Sequence, residues 1–198
     1  MKTHALVALT VLSLSSFTTQ AEQQNEIHRV GAQLNGGSAS YKGSSKDGDG
    51  VGSLYLYYNY QINTSWALEL GINSGSEIDS WECKELRNDR VICDRNDKLL
   101  FDLNANKIDL INFVVAAKGQ YKITDNSYLY GKLGGQYYDY DIARNSNKLI
   151  QETGLGVFAE AGWQYDWNNG FAMNVGLQYM DMGDLDTSSL SAGISYRF

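Results

Sequence analysis

Apolar residues recur at every second position in several separate stretches of this chain. Leu190, Ala192, Ile194, Tyr196 and Phe198 interleave with Ser189, Ser191, Gly193, Ser195 and Arg197. Phe171, Met173, Val175, Leu177 and Tyr179 alternate with Ala172, Asn174, Gly176 and Gln178. Leu155, Val157, Ala159, Ala161, Trp163 and Tyr165 alternate with Gly156, Phe158, Glu160, Gly162 and Gln164. Trp66, Leu68, Leu70 and Ile72 do so with Ala67, Glu69, Gly71 and Asn73. A period of two is the repeat of a strand with one apolar face. Four further strands are predicted over residues 28–41, where alternation is weakest, and over 51–62, 107–122 and 128–141. The total is eight, an even number, and each strand is long enough for a tilted bilayer crossing of about 9–11 residues.

The connections fall into two classes. Residues 63–65, 123–127 and 166–170 are short, whereas 42–50, 78–106, 142–150 and 181–187 read as polar and more variable in length. Short turns at one end and longer loops at the other is the arrangement of a transmembrane barrel with its short turns in the periplasm. Aromatic residues mark the short-turn end: Tyr60 and Trp66, Tyr121 and Tyr128, then Tyr165, Trp167 and Phe171, with Phe198 at the same level. Rings gathered at one height fit an interfacial girdle.

The polar face separates a membrane barrel from a soluble one, which would put its apolar face inside. Here the second face is built of Gly, Ala, Ser, Asn and Gln, and charges concentrate in the loops: residues 77–107 carry 14 of the chain's 39 Asp, Glu, Lys and Arg. Glu69, Lys118, Lys132 and Glu160 are the exceptions, and all fall on the faces assigned inward. A lumenal network of two Glu and two Lys is therefore expected, with Gln120, Gln136, Gln164 and the Tyr130 hydroxyl as hydrogen-bond partners. Buried charges need such pairing.

Composition sharpens this picture. Fourteen Tyr, twenty Gly and no Pro suit uninterrupted strands, because Pro removes a ladder donor. Lys2, the apolar run of residues 5–14 and the small residues ending at Thr19-Gln20-Ala21 have the order of a secretory signal. The expectation is a cleaved signal over 1–21 and a barrel domain over 22–198. Removing Lys2 takes the net charge from -7 to -8, which argues against a nucleic-acid partner. Export places Cys83 and Cys93 in an oxidising compartment, where a disulfide is favoured. Metal binding by the two is the weaker reading, since the exported chain keeps a single histidine, His28. The acidic runs 46–50 and 181–186 lack the spacing of a calcium loop and read as turns, so no cofactor or metal is expected.

The alternating end from Tyr179 to Phe198, with its terminal Phe, resembles the OmpA-like and Ail-like family of small outer-membrane barrels, as does Trp66-Ala67-Leu68-Glu69-Leu70-Gly71. The resemblance covers the whole exported chain. It implies a monomeric eight-stranded antiparallel barrel in the cell outer membrane, contacting lipid and lipopolysaccharide. It also implies that Leu190, Ala192, Ile194, Tyr196 and Phe198 form the signal read by the barrel-assembly machinery, and that the paired Glu and Lys plug the lumen. The long 78–106 connection is more similar to relatives of the vibrio accessory colonisation factor type.

Three function classes follow. A non-enzymatic surface protein would use its outward loops for adhesion, colonisation, binding of an extracellular or host-surface ligand, or envelope integrity. The disulfide would hold Leu86, Val91 and Ile92 in a compact knob. A small-solute channel is the alternative, weakened because eight strands enclose a lumen that side chains can fill. A lipid A-modifying enzyme is disfavoured, because no Ser-His pairing can be argued around His28.

Overall fold

The computed structural model describes the backbone of residues 26–45, 48–78, 81–86, 90–95, 100–103 and 105–198, and their side chains except at 48–49, 81–86 and 90–95. The expected signal over residues 1–21 lies outside the described residues.

Eight antiparallel strands close into a barrel. They are β1 (His28–Tyr41), β2 (Gly48–Gln61), β3 (Trp66–Glu77), β6 (Lys107–Lys122), β7 (Ser127–Arg144), β8 (Asn147–Asp166), β9 (Phe171–Met182) and β10 (Leu185–Arg197). A separate two-stranded sheet, β4 (Trp81–Leu86) with β5 (Arg90–Arg95), lies in the chain between β3 and β6. Each barrel strand pairs with the barrel strands next to it in sequence, β3 with β6 across the inserted hairpin, and β10 closes on β1 from Arg29↔Arg197 to Tyr41↔Leu185. The seam is finished by reciprocal His28–Phe198 backbone bonds of 3.1 and 2.9 Å.

The short-turn end is as expected. Its three turns are residues 62–65, 123–126 and 167–170, and side chains close each of them. Asn63 Oδ1 accepts the Trp66 N–H at 3.0 Å, Thr124 Oγ1 that of Ser127 at 3.1 Å and Asn169 Oδ1 that of Phe171 at 3.2 Å. Such local side-chain bonds are why Asn and Thr favour turns. The aromatic residues sit in contact at this end, with Phe171 against Tyr196 at 5.0 Å between centroids and Tyr165 against Trp167 at 5.4 Å.

The opposite end differs from the reading of residues 142–150 and 181–187 as loops. Both are largely strand: β7 and β8 meet across residues 145–146, and β9 and β10 across 183–184. Asn145 and Gly183 supply the left-handed backbone at φ 53° and 77°. The reason lies in the alternation. Within the apolar belt, outward residues are apolar and inward ones mostly polar. Beyond the belt the phase continues but the polarity inverts. Asp109, Asp139, Asp141, Asp181 and Asp186 face outward, while Ile108, Leu110, Ile142, Met182 and Leu185 are buried inside. The strands leave lipid for water there, and the inward face becomes the dry one.

Candidate functional site

Two layers close the lumen. The lower one centres on Lys132, whose Nζ lies 3.0 Å from Glu69 Oε1 and 3.1 Å from Glu160 Oε2, with all three side chains at 0 % exposure. Glu160 is held further by Gln33 Nε2 at 2.8 Å and the Tyr130 hydroxyl at 2.6 Å, and Glu69 by the Tyr55 hydroxyl at 2.7 Å. The Lys132 ammonium also faces the Tyr57 ring, 4.7 Å from its centroid. Glycine makes room for these rings. A Cβ at Gly71 would stand 2.2 Å from the Tyr55 oxygen, and one at Gly31 would stand 2.3 Å from Tyr57 Cζ. The small inward residues therefore hold tyrosines flat across the lumen instead of leaving it open.

Lys118 does not join this cluster as a salt bridge. Its Nζ donates to Gln164 Oε1 at 2.7 Å and faces the Tyr130 ring at 4.9 Å. Gln164 in turn donates to Asp166 Oδ1 at 2.6 Å, and Asp166 pairs with Arg29 at 2.6 Å. Of the expected hydrogen-bond partners, Tyr130 contacts the cluster and Gln164 contacts Lys118. Gln120 instead donates to the Thr64 carbonyl at the turn, and Gln136 donates to the Asp181 carbonyl at the far end. Sequence reasoning missed Arg29, Asp166, Gln33, Tyr55 and Tyr57. Arg29 and Gln33 lie on the strand with the weakest alternation, and Asp166 was placed in a turn. Alternation extended one step past Gln164 would have found Asp166.

Beneath this layer the lumen opens toward the short turns as a cavity of about 850 Å³ lined by Arg29, Gln61, Gln120, Asp166 and Arg197, among others. At the rim Arg197 pairs with Glu26 at 2.6 Å. In the exposed β6–β7 turn, Lys122 stands 2.8 Å from Asp125 and holds the Asp125 carboxyl below the usual carboxylate range.

The upper layer is apolar. Ala39, Val51, Ile108, Leu110, Tyr138, Tyr140, Ile142, Met182 and Leu185 form one buried cluster, and the segment before β6 inserts Leu100, Phe101 and Ala105 into it. Phe101 is 1 % exposed and sits at φ 54°, a backbone state that packing must enforce on an aromatic residue. Asp102 ties this plug to the β1–β2 turn: its Oδ2 accepts the Ser45 N–H at 2.7 Å and its N–H donates to Ser44 Oγ at 2.9 Å. The polar lumen read from the sequence is therefore only the lower half, because the inward face turns apolar above Asn112 and Gln136. Close by, the Lys42 ammonium is raised above its ordinary pKa by Asp184, 3.0 Å away.

The remaining sequence-predicted residues are placed as follows. Cys83 and Cys93 are direct register partners in the β4–β5 hairpin. Leu190, Ala192, Ile194, Tyr196 and Phe198 all point outward toward lipid. His28 Nδ1 lies 2.6 Å from the Tyr58 hydroxyl, and its ring stacks on Phe198.

Comparison with known proteins places this architecture. The solved structure of Ail, the attachment invasion locus protein of Yersinia pestis, aligns with 86% of this chain and 97% of its own at a TM-score of 0.56 and 16% identity. Neisserial surface protein A aligns over the same shares at 0.63 and 14%. The outer membrane protein OprG from Pseudomonas aeruginosa covers 86% of this chain and 95% of its own, at 0.57 and 17%. At such identities the likeness is one of fold. A search of curated proteins finds no match. The model of the outer membrane protein beta-barrel domain matches residues 7–198, so the chain belongs to that family and resides in the outer membrane.

Proposed function

We propose that this barrel is a non-enzymatic display protein that carries its outward strands and hairpin beyond the membrane to contact an extracellular or host-surface ligand. The observation that carries the reading is the double closure of the lumen. An ion-paired layer and an apolar plug stand in series, while β7 and β8 run past the belt and the β4–β5 hairpin is inserted in the chain between β3 and β6. A pathway for solutes would have to break both layers. The barrel-assembly machinery would read the outward residues of β10, and lipopolysaccharide would surround the acidic rim.

A slow channel is the second reading, favoured by the cavity that opens toward the periplasm. Planar-bilayer recordings on the purified barrel, paired with binding of cells that display it, separate the two. Silent bilayers with binding that disappears when residues 79–99 are deleted support display. Discrete, steady conductance steps would establish the channel and sink the display reading.

A further inference from the structure

Among the described residues β8 is the longest strand, and it is paired on both sides only in its lower half. Its ladder with β7 runs to Arg144↔Asn147, whereas its ladder with β9 starts at Phe158↔Met180 and runs downward to Asp166↔Ala172. The β9–β10 turn meets β8 just above that point. A Cβ at Gly156 would fall 1.8 Å from the Asp181 carbonyl oxygen, and one at Gly183 would fall 3.0 Å from Glu152 Oε1. Higher up, among the described residues, the flank of Lys148–Leu155 has no strand beside it.

In an antiparallel ladder, alternate residues turn both N–H and C=O to the same side. About four of these eight residues therefore offer both groups to the open side. From Thr153 upward, level with the outward Asp139, the edge stands beyond the apolar belt, where an unpaired edge is a template for another strand. Over about 3.3 Å per residue the edge is about 25 Å long.

We propose that Lys148–Leu155 is a docking edge that takes up an extended basic segment of another protein by strand addition. This deepens, and rests on, the display reading. The basic character follows from what an added strand would lie above. The β9–β10 turn presents Asp181, Asp184 and Asp186, and within the described contacts only Lys42 stands against them, bound to Asp184. An acidic segment would meet like charge there. A second copy in the same membrane does not fit. The two-fold of an antiparallel strand pair runs perpendicular to the sheet, whereas two copies sharing a membrane need one along the membrane normal.

The test uses the full barrel in detergent micelles and a labelled octapeptide of alternating Lys and Thr. Its controls are the same peptide N-methylated at every backbone amide and an octapeptide of alternating Glu and Thr. Saturable binding of the Lys–Thr peptide is expected, with slowed hydrogen exchange confined to amides of residues 148–155. D181N/D184N should raise Kd about tenfold, as expected for lost charge complementarity, with heat-modifiable gel mobility confirming that the variant folds. Equal binding of the N-methylated peptide would reduce the contact to charge alone and overturn the proposal. So would a lack of binding, protection elsewhere on the barrel, or protection of 148–155 from dimerisation without peptide. A conducting barrel would undo the display reading while leaving the exchange result to decide the edge.

Discussion

Replacing Lys132 with methionine should be far more damaging than its conservative volume implies. Its ammonium stands between Glu69 Oε1 at 3.0 Å and Glu160 Oε2 at 3.1 Å, so those two oxygens are at most 6.1 Å apart. Without the cation, two fully buried carboxylates face each other. At an effective dielectric constant of 20 and about 6 Å, their repulsion alone is about 3 kcal/mol. The lost attraction adds to this, and relaxation of the tyrosine hydroxyls takes some back. The expected cost is about 3–5 kcal/mol, the usual range for breaking a buried ion pair from one side. Urea titration of the barrel in lipid vesicles, read by heat-modifiable gel mobility, measures it. The informative comparison is the triple variant K132M/E69Q/E160Q. It keeps the shape and removes all three charges, so it should recover most of the loss. If K132M costs less than about 1 kcal/mol, or the triple variant is no better than K132M, the charge-pairing argument is wrong.

Phe101→Ala should loosen the outward plug by about 3–5 kcal/mol, as for large-to-small core changes. The effect should appear as faster exchange at residues 100–105 while the belt strands stay protected, and unchanged exchange there would show that the ring does not hold the plug. A disulfide between the register partners Cys83 and Cys93 would close about eleven residues and should contribute roughly 2–3 kcal/mol in the chain-entropy model. After trypsin cuts at Arg87 or Arg90, the two halves should separate in mass spectra only once reductant is added. Separation without reductant would exclude the bridge. In the β6–β7 turn, Asp125 has a depressed folded pKa, so its pairing with Lys122 is present above the ordinary carboxylate pKa and fades as pH falls through the folded value. A carboxyl NMR titration should show Asp125 returning to the ordinary range in Lys122→Gln, and an unchanged midpoint would refute the pairing.

The legible part of this protein was the belt. Lipid on one side and a narrow lumen on the other force opposite polarity on successive residues, so Trp66 to Ile72 or Phe171 to Tyr179 announces a strand and its faces. The same rule made Glu69, Lys118, Lys132 and Glu160 conspicuous, because a charge on such a face must point inward. Three things stayed hidden. Lys132 joins both glutamates while Lys118 reaches a glutamine, because partner choice depends on the stagger between strands, which period two does not encode. Residues 142–150 and 181–187 continue as strand because, once water replaces lipid, polar residues belong outside and the apolar cue inverts. Among the described residues, the flank of β8 beyond Phe158 lacks a β9 partner because β8 outlasts β9, and the insertion of Phe101 rests on contacts with residues distant in the chain. Which residues face lipid is readable from the chain alone, since that depends on each residue's own transfer energy. Only the closed barrel decided which charges meet, what fills the mouth and which edge has no partner among the described residues, since those depend on residues far apart in the chain.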